Sequence, residues 1–437
     1  MSTTDDYEFR TFAAAAPDGV ADDATREWFE AESMGFLEPR PLGKRVDLAA
    51  ANMAADGRML TGVFRRDAAT GASGTASLAA LPVATFASFE RTVNVGGDEP
   101  LRAHLISSVT VRPTDRRRGI LREMMTADLH RAHADGYALA ALTATEATIY
   151  RRFGFGVATA VHAVTVATDQ RFRLLSEPAG SCELIAAAEL LSIAPDVFAE
   201  FHARNPGSVD RQTRYWRLVA GLDSEGDDPE EDRAVRAAVH RDETGRVDGY
   251  VSYRFKGWES TPRTVEVVDL VAQNDDAYLG LWQLLGSIDL VEKVTHAFAP
   301  VDDPLRWALA DWRLLKTTSL DDWLWLRVLD LPAAFQARGY LPEVAGEIVL
   351  GVTDALGYAS GVHRLQVADG RGVVTADADA DPDVELDASA LASIYLGGFD
   401  PSMLRAAGLL RERTPGALAR LRTLLTPTAP VYGITHF

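Results

Sequence analysis

VRPTDRRRGILREMM, residues 111–125, decides how the first third of the chain folds. It continues LISSVTV, residues 105–111, a run rich in β-branched residues that reads as a strand and is stopped by Pro113. Beyond it, Ile120, Leu121, Met124, Met125, Leu129 and Ala132 recur at helical spacing, so a helix starts at the glycine. Asp135-Gly136 ends that helix, the glycine being suited to a left-handed cap. A helix N-terminus presents unpaired N–H groups and a partial positive charge. A tight loop before it wraps further N–H groups around an anion. Gly119 lets the backbone come close, and Arg116, Arg117 and Arg118 add guanidinium charge suited to phosphate. The junction reads as a pyrophosphate site; the competing reading of an Arg-rich turn alone is a solvated basic turn.

This basic junction sits in an acidic chain. The 437 residues hold 63 acidic and 44 basic side chains, a formal net charge of −19. Such a charge repels phosphate backbones, so general nucleic-acid binding is not expected. It attracts cationic substrates, although solubility alone also accounts for it. Hydrophobic residues make up 47% and charged residues 24%, the composition of a soluble globular protein with two or three domains. No apolar run reaches 18 residues, and MSTTDDYEFR has no apolar signal segment, so a cytoplasmic protein with no membrane partner is expected. Cys182 is the single cysteine, which rules out an intramolecular disulfide.

Outward from the junction, residues 7–165 alternate strands and helices. TREWFEAESMGF reads as a helix, RMLTGVFRR and GTASLAALPVATF as strands, and YALAALTA as a buried strand. Thr145 is placed to cap a short helix through Tyr150 to about Phe153, and VATAVHAVTV follows as a strand. Near residue 170 a second unit begins. It holds an acidic loop at 221–233, strands in RAVRAAVHRD, GYVSYRFKG and TVEVVDLVA, the helix AYLGLWQLLGSIDL, and the strand KVTHAFAP. It repeats the strand–helix–strand theme, but its junction reads QNDD, where Asp275 and Asp276 oppose a phosphate. A third unit is expected from about residue 320. DDWLWLRVLDL alternates like a strand with Trp323 and Trp325 on one face, followed by the helical LPAAFQARGY, three short strands to about residue 387, and helices. The acidic TADADADPDVELD lacks calcium-loop spacing, and His130 with His133 has no carboxylate or cysteine to complete a set, so no metal is expected. HARNPGSVDRQTRYWR, residues 202–217, reads as a structural helix.

Arg116-x-x-Gly119 between a strand and a helix resembles the coenzyme A loop of GNAT-superfamily acyltransferases. That pattern usually has Gly or Ala two places after the glycine, where this chain has Leu121. The closer resemblance, carried by PTDRRRGILR, GYALAAL, TEATIYRRFGFG and the aromatic last residue Phe437, is to the Eis (enhanced intracellular survival) family of acetyltransferases. The resemblance implies an α+β fold of tandem GNAT domains, mixed central sheets with flanking helices, plus a sterol-carrier-like α/β domain. In this chain the three would be a catalytic domain over 1–168, a degenerate copy over 169–318, and a third domain over 319–437 that supplies the C-terminus.

It also implies acetyl-CoA as cosubstrate, with no metal. Val109, Thr110 and Val111 would pair with the pantetheine arm. Arg117, Arg118, Gly119, Ile120, Leu121 and Arg122 would hold the pyrophosphate, and Thr145 and Glu146 would lie near the thioester. Tyr150 matches the family's general acid, and the Phe437 main-chain carboxylate its proton acceptor. A free terminal carboxylate lies some six to seven pKa units below an alkylamine, roughly 9 kcal/mol uphill for full proton transfer. Either burial raises the carboxylate's pKa, or it holds the ammonium while water carries the proton away. The implied partners are a small cationic amine, such as an aminoglycoside or polyamine, and five further copies in a homohexamer. Glu32 and Glu38 flank the MGF turn near a family substrate loop. The rival readings are a protein-lysine acetyltransferase, a lipid carrier, or a CoA-binding sensor without turnover.

Overall fold

A computed structural model describes residues 6–66, 78, 80–223 and 231–437. The acidic 224–230 and part of the GTASLAALPVATF segment lie outside the described residues. Among the described residues the strands form three sheets, two of seven strands and one of five.

In the first sheet, strands Tyr7–Ala13, Met59–Arg65, Ala84–Val93 and Leu101–Val111 pair antiparallel in that order. Strand Leu139–Thr143 then pairs parallel to Leu101–Val111. The connection between those two is the helix Ile120–Ala134, the crossover a parallel pair requires. Ile120, Met124, Met125, Leu129 and Ala132 are buried against the sheet with Tyr150, Phe155 and Trp325, so the apolar stripe seen in the sequence is the helix's core face. Gly136 takes a φ of +80° at the helix end.

The second sheet repeats this pattern. Strands Val247–Phe255 and Thr264–Ala272 pair antiparallel, and Lys293–Ala299 pairs parallel to the latter after the helix Asp275–Gly286. The third holds Gly346–Thr353, Gly361–Ala368, Arg371–Ala376, Val384–Asp387 and the short Leu410–Glu412, packed with helices Ala388–Tyr395 and Ala417–Leu424.

Two strands do not stay in the units where the sequence reading puts them. Ala160–Ala167 pairs with Lys293–Ala299 and Leu315–Asp322 in the second sheet, where Val164 and Val166 pack in the core that contains Leu281 and Trp282. Leu324–Val328 inserts into the first sheet between Leu139–Thr143 and Gly156–Val157. It is buried on both faces rather than alternating, because it is a central strand. Leu324, Leu326 and Val328 face the core shared with the third unit, and Trp325 faces the helix Ile120–Ala134. Trp323 precedes the strand and packs instead on Phe298, with ring centroids 4.8 Å apart. On the same strand Arg327 is fully buried, its Nη2 donating to both carboxylate oxygens of Asp354 at 2.8 and 2.7 Å and its Nη1 to the Val328 carbonyl at 2.8 Å.

The helix expected over 145–153 is not formed. Residues 145–150 are bends and turns, followed by one 3-10 turn at Arg151–Phe153. The hydrogen bonds here span three residues, from Ile149 to Glu146, Phe153 to Tyr150 and Gly154 to Arg151, so the α pattern never starts.

Candidate active site

The parallel pairing in the first sheet stops at Ile106 and Leu142. Strand Leu101–Val111 runs five residues further, so one edge of 107–111 has no strand partner and the sheet opens. A bulge marks the opening: Ala87 pairs with Ser107 and Thr85 with Thr110, leaving Ser108 and Val109 opposite Phe86. Ser108 has a φ of +55°, uncommon for a side-chain-bearing residue. The Thr85 hydroxyl lies 3.0 Å from the Ser108 carbonyl and 2.7 Å from the Thr110 hydroxyl, which fixes the bulge. Helix Asp23–Gly35 ends directly over it, and a Cβ on Gly35 would lie 2.4 Å from the Thr110 side chain.

Past the bulge, the arginine loop is exposed and pre-shaped. Arg117 and Gly119 take φ values of +63° and +83°, an alternation that turns successive N–H groups toward a common centre ahead of the helix. Asp115 pins the loop from beneath. It is 1% exposed and accepts hydrogen bonds from Tyr7 at 2.8 Å, Arg65 at 2.9 Å on each oxygen, and Thr114 at 2.6 Å. Burial works to raise its pKa, but the bonds from Arg65, Thr114 and Tyr7 hold it below the usual carboxylate range. Arg118 and Arg122 are exposed, Leu121 is half-buried, and Ile120 is buried, leaving only its backbone for an anion. Arg116 folds back toward the Val111 carbonyl, 3.4 Å away. An unpaired strand edge leading to this loop fits a pantetheine arm and a pyrophosphate, so the residues present suit coenzyme A.

The sheet opening faces a cavity of about 1030 Å³. Its wall brings together Val109, Thr145, Tyr150 and Phe437, which are far apart in sequence. Thr110, Val111 and the arginine loop lie outside that wall, and Glu146 is exposed, accepting from Thr148 at 2.6 Å. Tyr150 is 5% exposed, its ring set edge-on to Phe155, and its hydroxyl has no hydrogen-bond partner among the described residues. Burial, and secondarily Glu146, push its pKa up to about 12, so the phenol holds its proton at neutral pH.

Phe437 packs its ring edge-on to Phe89, centroids 5.9 Å apart, and Phe89 in turn lies under the Arg58 guanidinium at 4.2 Å. The segment leading to it threads between the two large sheets. Tyr432 donates to the Phe298 carbonyl, and Gly433 passes so close to Gly207 that a Cβ would lie 2.4 Å from its carbonyl oxygen.

The second unit supplies the far wall, including Tyr215, Glu266, Val268 and Phe298. It has its own parallel split, with pairing stopping at Glu266 and Thr295, and its own bulge at Val268. Its helix N-terminus is closed, however. Asn274 caps it by accepting from the Ala277 N–H at 2.8 Å and is itself held by Asp248. Basic groups on the cavity wall are paired: Arg45 with Asp223 at 2.8 Å, Arg254 with Asp232 at 2.7 Å and Lys256 with Glu266 at 2.7 Å. Glu32 and Glu38 carry no ion pair among the described residues. Burial raises Glu32 to about 7, against the opposing effect of a hydrogen bond with Ser108.

Reading the sequence missed Thr143, Gln212 and Tyr215, all in this wall. The last two lie in the 202–217 stretch taken as purely structural. His130 and His133 pack on Tyr358 of the third unit, the His130 ring 3.0 Å from its hydroxyl.

Comparison with known proteins agrees with this geometry. Acetyltransferase (GNAT) domain models match residues 20–158 and 207–328, and a sterol carrier protein domain model matches 331–433. An uncharacterized N-acetyltransferase of Streptomyces avermitilis is 32% identical over 445 residues, 98% of this chain and 99% of its own length. The N-acetyltransferase Eis of Mycobacterium tuberculosis is 37% identical over 356 residues, 79% of this chain and 83% of its own. The crystal structure of Eis1 from Mycobacterium abscessus superposes with a TM-score of 0.79 at 27% identity, covering 98% of this chain and 100% of that one. With its two GNAT folds, its sterol-carrier-like domain and its cavity at the open sheet, the chain belongs to the Eis family of N-acetyltransferases.

Proposed function

We propose that the protein transfers an acetyl group from acetyl-CoA directly to an amino group of a small cationic substrate of the aminoglycoside or polyamine class. Tyr150 serves as general acid and the Phe437 carboxylate as base. One observation carries the reading: a single cavity gathers the open strand edge at Val109, Tyr150 and the last residue of the sequence. Acetyl-CoA would supply the activated thioester. Val109, Thr110 and Val111 offer backbone partners to its arm. Arg117, Arg118, Gly119, Ile120, Leu121 and Arg122 receive the pyrophosphate, with Thr145 and Glu146 beside the arm.

An alkylamine near pKa ~10.4 is about 99.9% protonated at pH 7, so it must lose a proton before it attacks. The Phe437 carboxylate and Glu38, joined by Glu32 as it ionises through about pH 7, give the cavity the negative charge that draws in and holds an ammonium. The Tyr150 hydroxyl, protonated and without a competing partner among the described residues, donates to the departing thiolate.

Release of coenzyme A thiol, measured with a panel of polyamines, aminoglycosides and lysine peptides, tests the proposal. Turnover with the small amines and a kcat about 10²-fold lower for Tyr150→Phe is the expected result. Preferential turnover of peptides would favour the protein-lysine reading. Silence with every amine would overturn the enzyme assignment in favour of a CoA-binding or lipid-binding role.

A further inference from the structure

A chain end frays unless something holds it, and a carboxylate that accepts a proton in catalysis must be aimed. The last three residues are tied down by side chains from two units. The Thr435 hydroxyl donates to the Val209 carbonyl at 2.6 Å. The His436 N–H donates to the Tyr215 hydroxyl at 2.7 Å, and Gln212 donates to the His436 carbonyl at 3.2 Å. The Thr143 hydroxyl accepts from the Phe437 N–H at 3.2 Å and donates to a Phe437 carboxylate oxygen at 2.6 Å. That short bond fixes one carboxylate oxygen of a residue that lines the cavity. Thr143 is the last residue of the central strand Leu139–Thr143, and Tyr215 lies on helix Thr213–Val219.

We propose that Thr143 and Tyr215 are positioning residues for acetyl transfer, two hydroxyls that aim the terminal carboxylate into the cavity. The inference rests on the reading of that carboxylate as the base. It gives the second unit, which lacks the arginine loop, a direct part in the reaction through Tyr215.

The test measures kcat and the KM for acetyl-CoA in Thr143→Val, Thr143→Ser and Tyr215→Phe. Each is made in the chain ending at Phe437 and in one extended by Gly-Ser. In the native-length chain, Thr143→Val is expected to lower kcat ten-fold or more with the KM for acetyl-CoA unchanged. Thr143→Ser keeps the hydroxyl and is expected to stay within about three-fold of wild type. Tyr215→Phe is expected to lower kcat about three- to ten-fold. In the extended chain, whose carboxylate is already displaced, none of the three should lower kcat further. If the extension lowers kcat but Thr143→Val does not, the positioning role is wrong while the carboxylate reading stands. If neither lowers kcat, the carboxylate reading has failed and takes this inference with it. Equal losses in Thr143→Val and Thr143→Ser would mean a packing role and would overturn the proposal.

Discussion

Glu32 sits half-buried at the bulge, and burial keeps its carboxyl protonated up to about pH 7, against 4.5 when freely solvated. The folded protein therefore binds a proton that the unfolded chain has released between those values. This contribution to stability is fully present below pH 4.5 and is lost as the pH rises through 7. Glu32→Gln keeps the shape and removes the titration. It is expected to match wild type in thermal unfolding near pH 5 and to exceed it at pH 8 by on the order of 2 kcal/mol. Function should run the other way. The wild-type KM for a cationic amine falls as Glu32 ionises through pH 7, and the variant's KM stays flat. Equal pH profiles for the two proteins would mean that Glu32 does not titrate in the cavity. Tyr150 and Phe437 could be singled out as candidates from the sequence because they belong to a motif and a chain end, and both line the cavity. Thr143 and Tyr215 could not be singled out. Their contacts to the last two residues span 294 and 221 positions, and a lone Thr or Tyr has no local pattern that announces such a partner.

The arginine loop owes its shape to groups outside it. Three side chains converge on buried Asp115, so the loop enters the helix at a fixed angle with Arg117 and Gly119 already left-handed. Asp115→Ala leaves the buried Tyr7 hydroxyl without its acceptor and removes the bidentate hold on Arg65, a loss of roughly 2 kcal/mol in stability. It is expected to raise the KM for acetyl-CoA about ten-fold while leaving the KM for the amine unchanged. Chemical denaturation and steady-state kinetics check the two halves, and an unaltered KM for acetyl-CoA would show that the loop needs no such support. The strand and helix flanking this loop were readable because a β-branched run stopped by Pro113 gives way to an apolar stripe at helical spacing from Ile120. Strands Ala160–Ala167 and Leu324–Val328 were found as strands, but each pairs in a sheet outside the unit where the sequence reading set it. Their sequences specify extended, apolar chain, and the choice of neighbour was made by cores that close only once distant segments arrive.

Three sheets in one chain use the C-terminal segment as a shared part. It leaves the third unit, runs between the two larger sheets, and ends at the strand that opens the first. The layout of two related units and a third was visible in the repeated strand–helix–strand order. That the copies face one cavity was not, because it depends on how the units dock. The docking explains why a copy with a closed helix N-terminus is retained: its helix Thr213–Val219 and strand Thr264–Ala272 complete the wall opposite Tyr150. The central claim is that this shared end carries a working carboxylate. The most direct measurement compares coenzyme A release by the chain ending at Phe437 with release by one carrying Gly-Ser after it, at saturating acetyl-CoA and amine. The account predicts a fall of ten-fold or more in kcat with acetyl-CoA affinity unchanged. Full activity in the extended chain would contradict it.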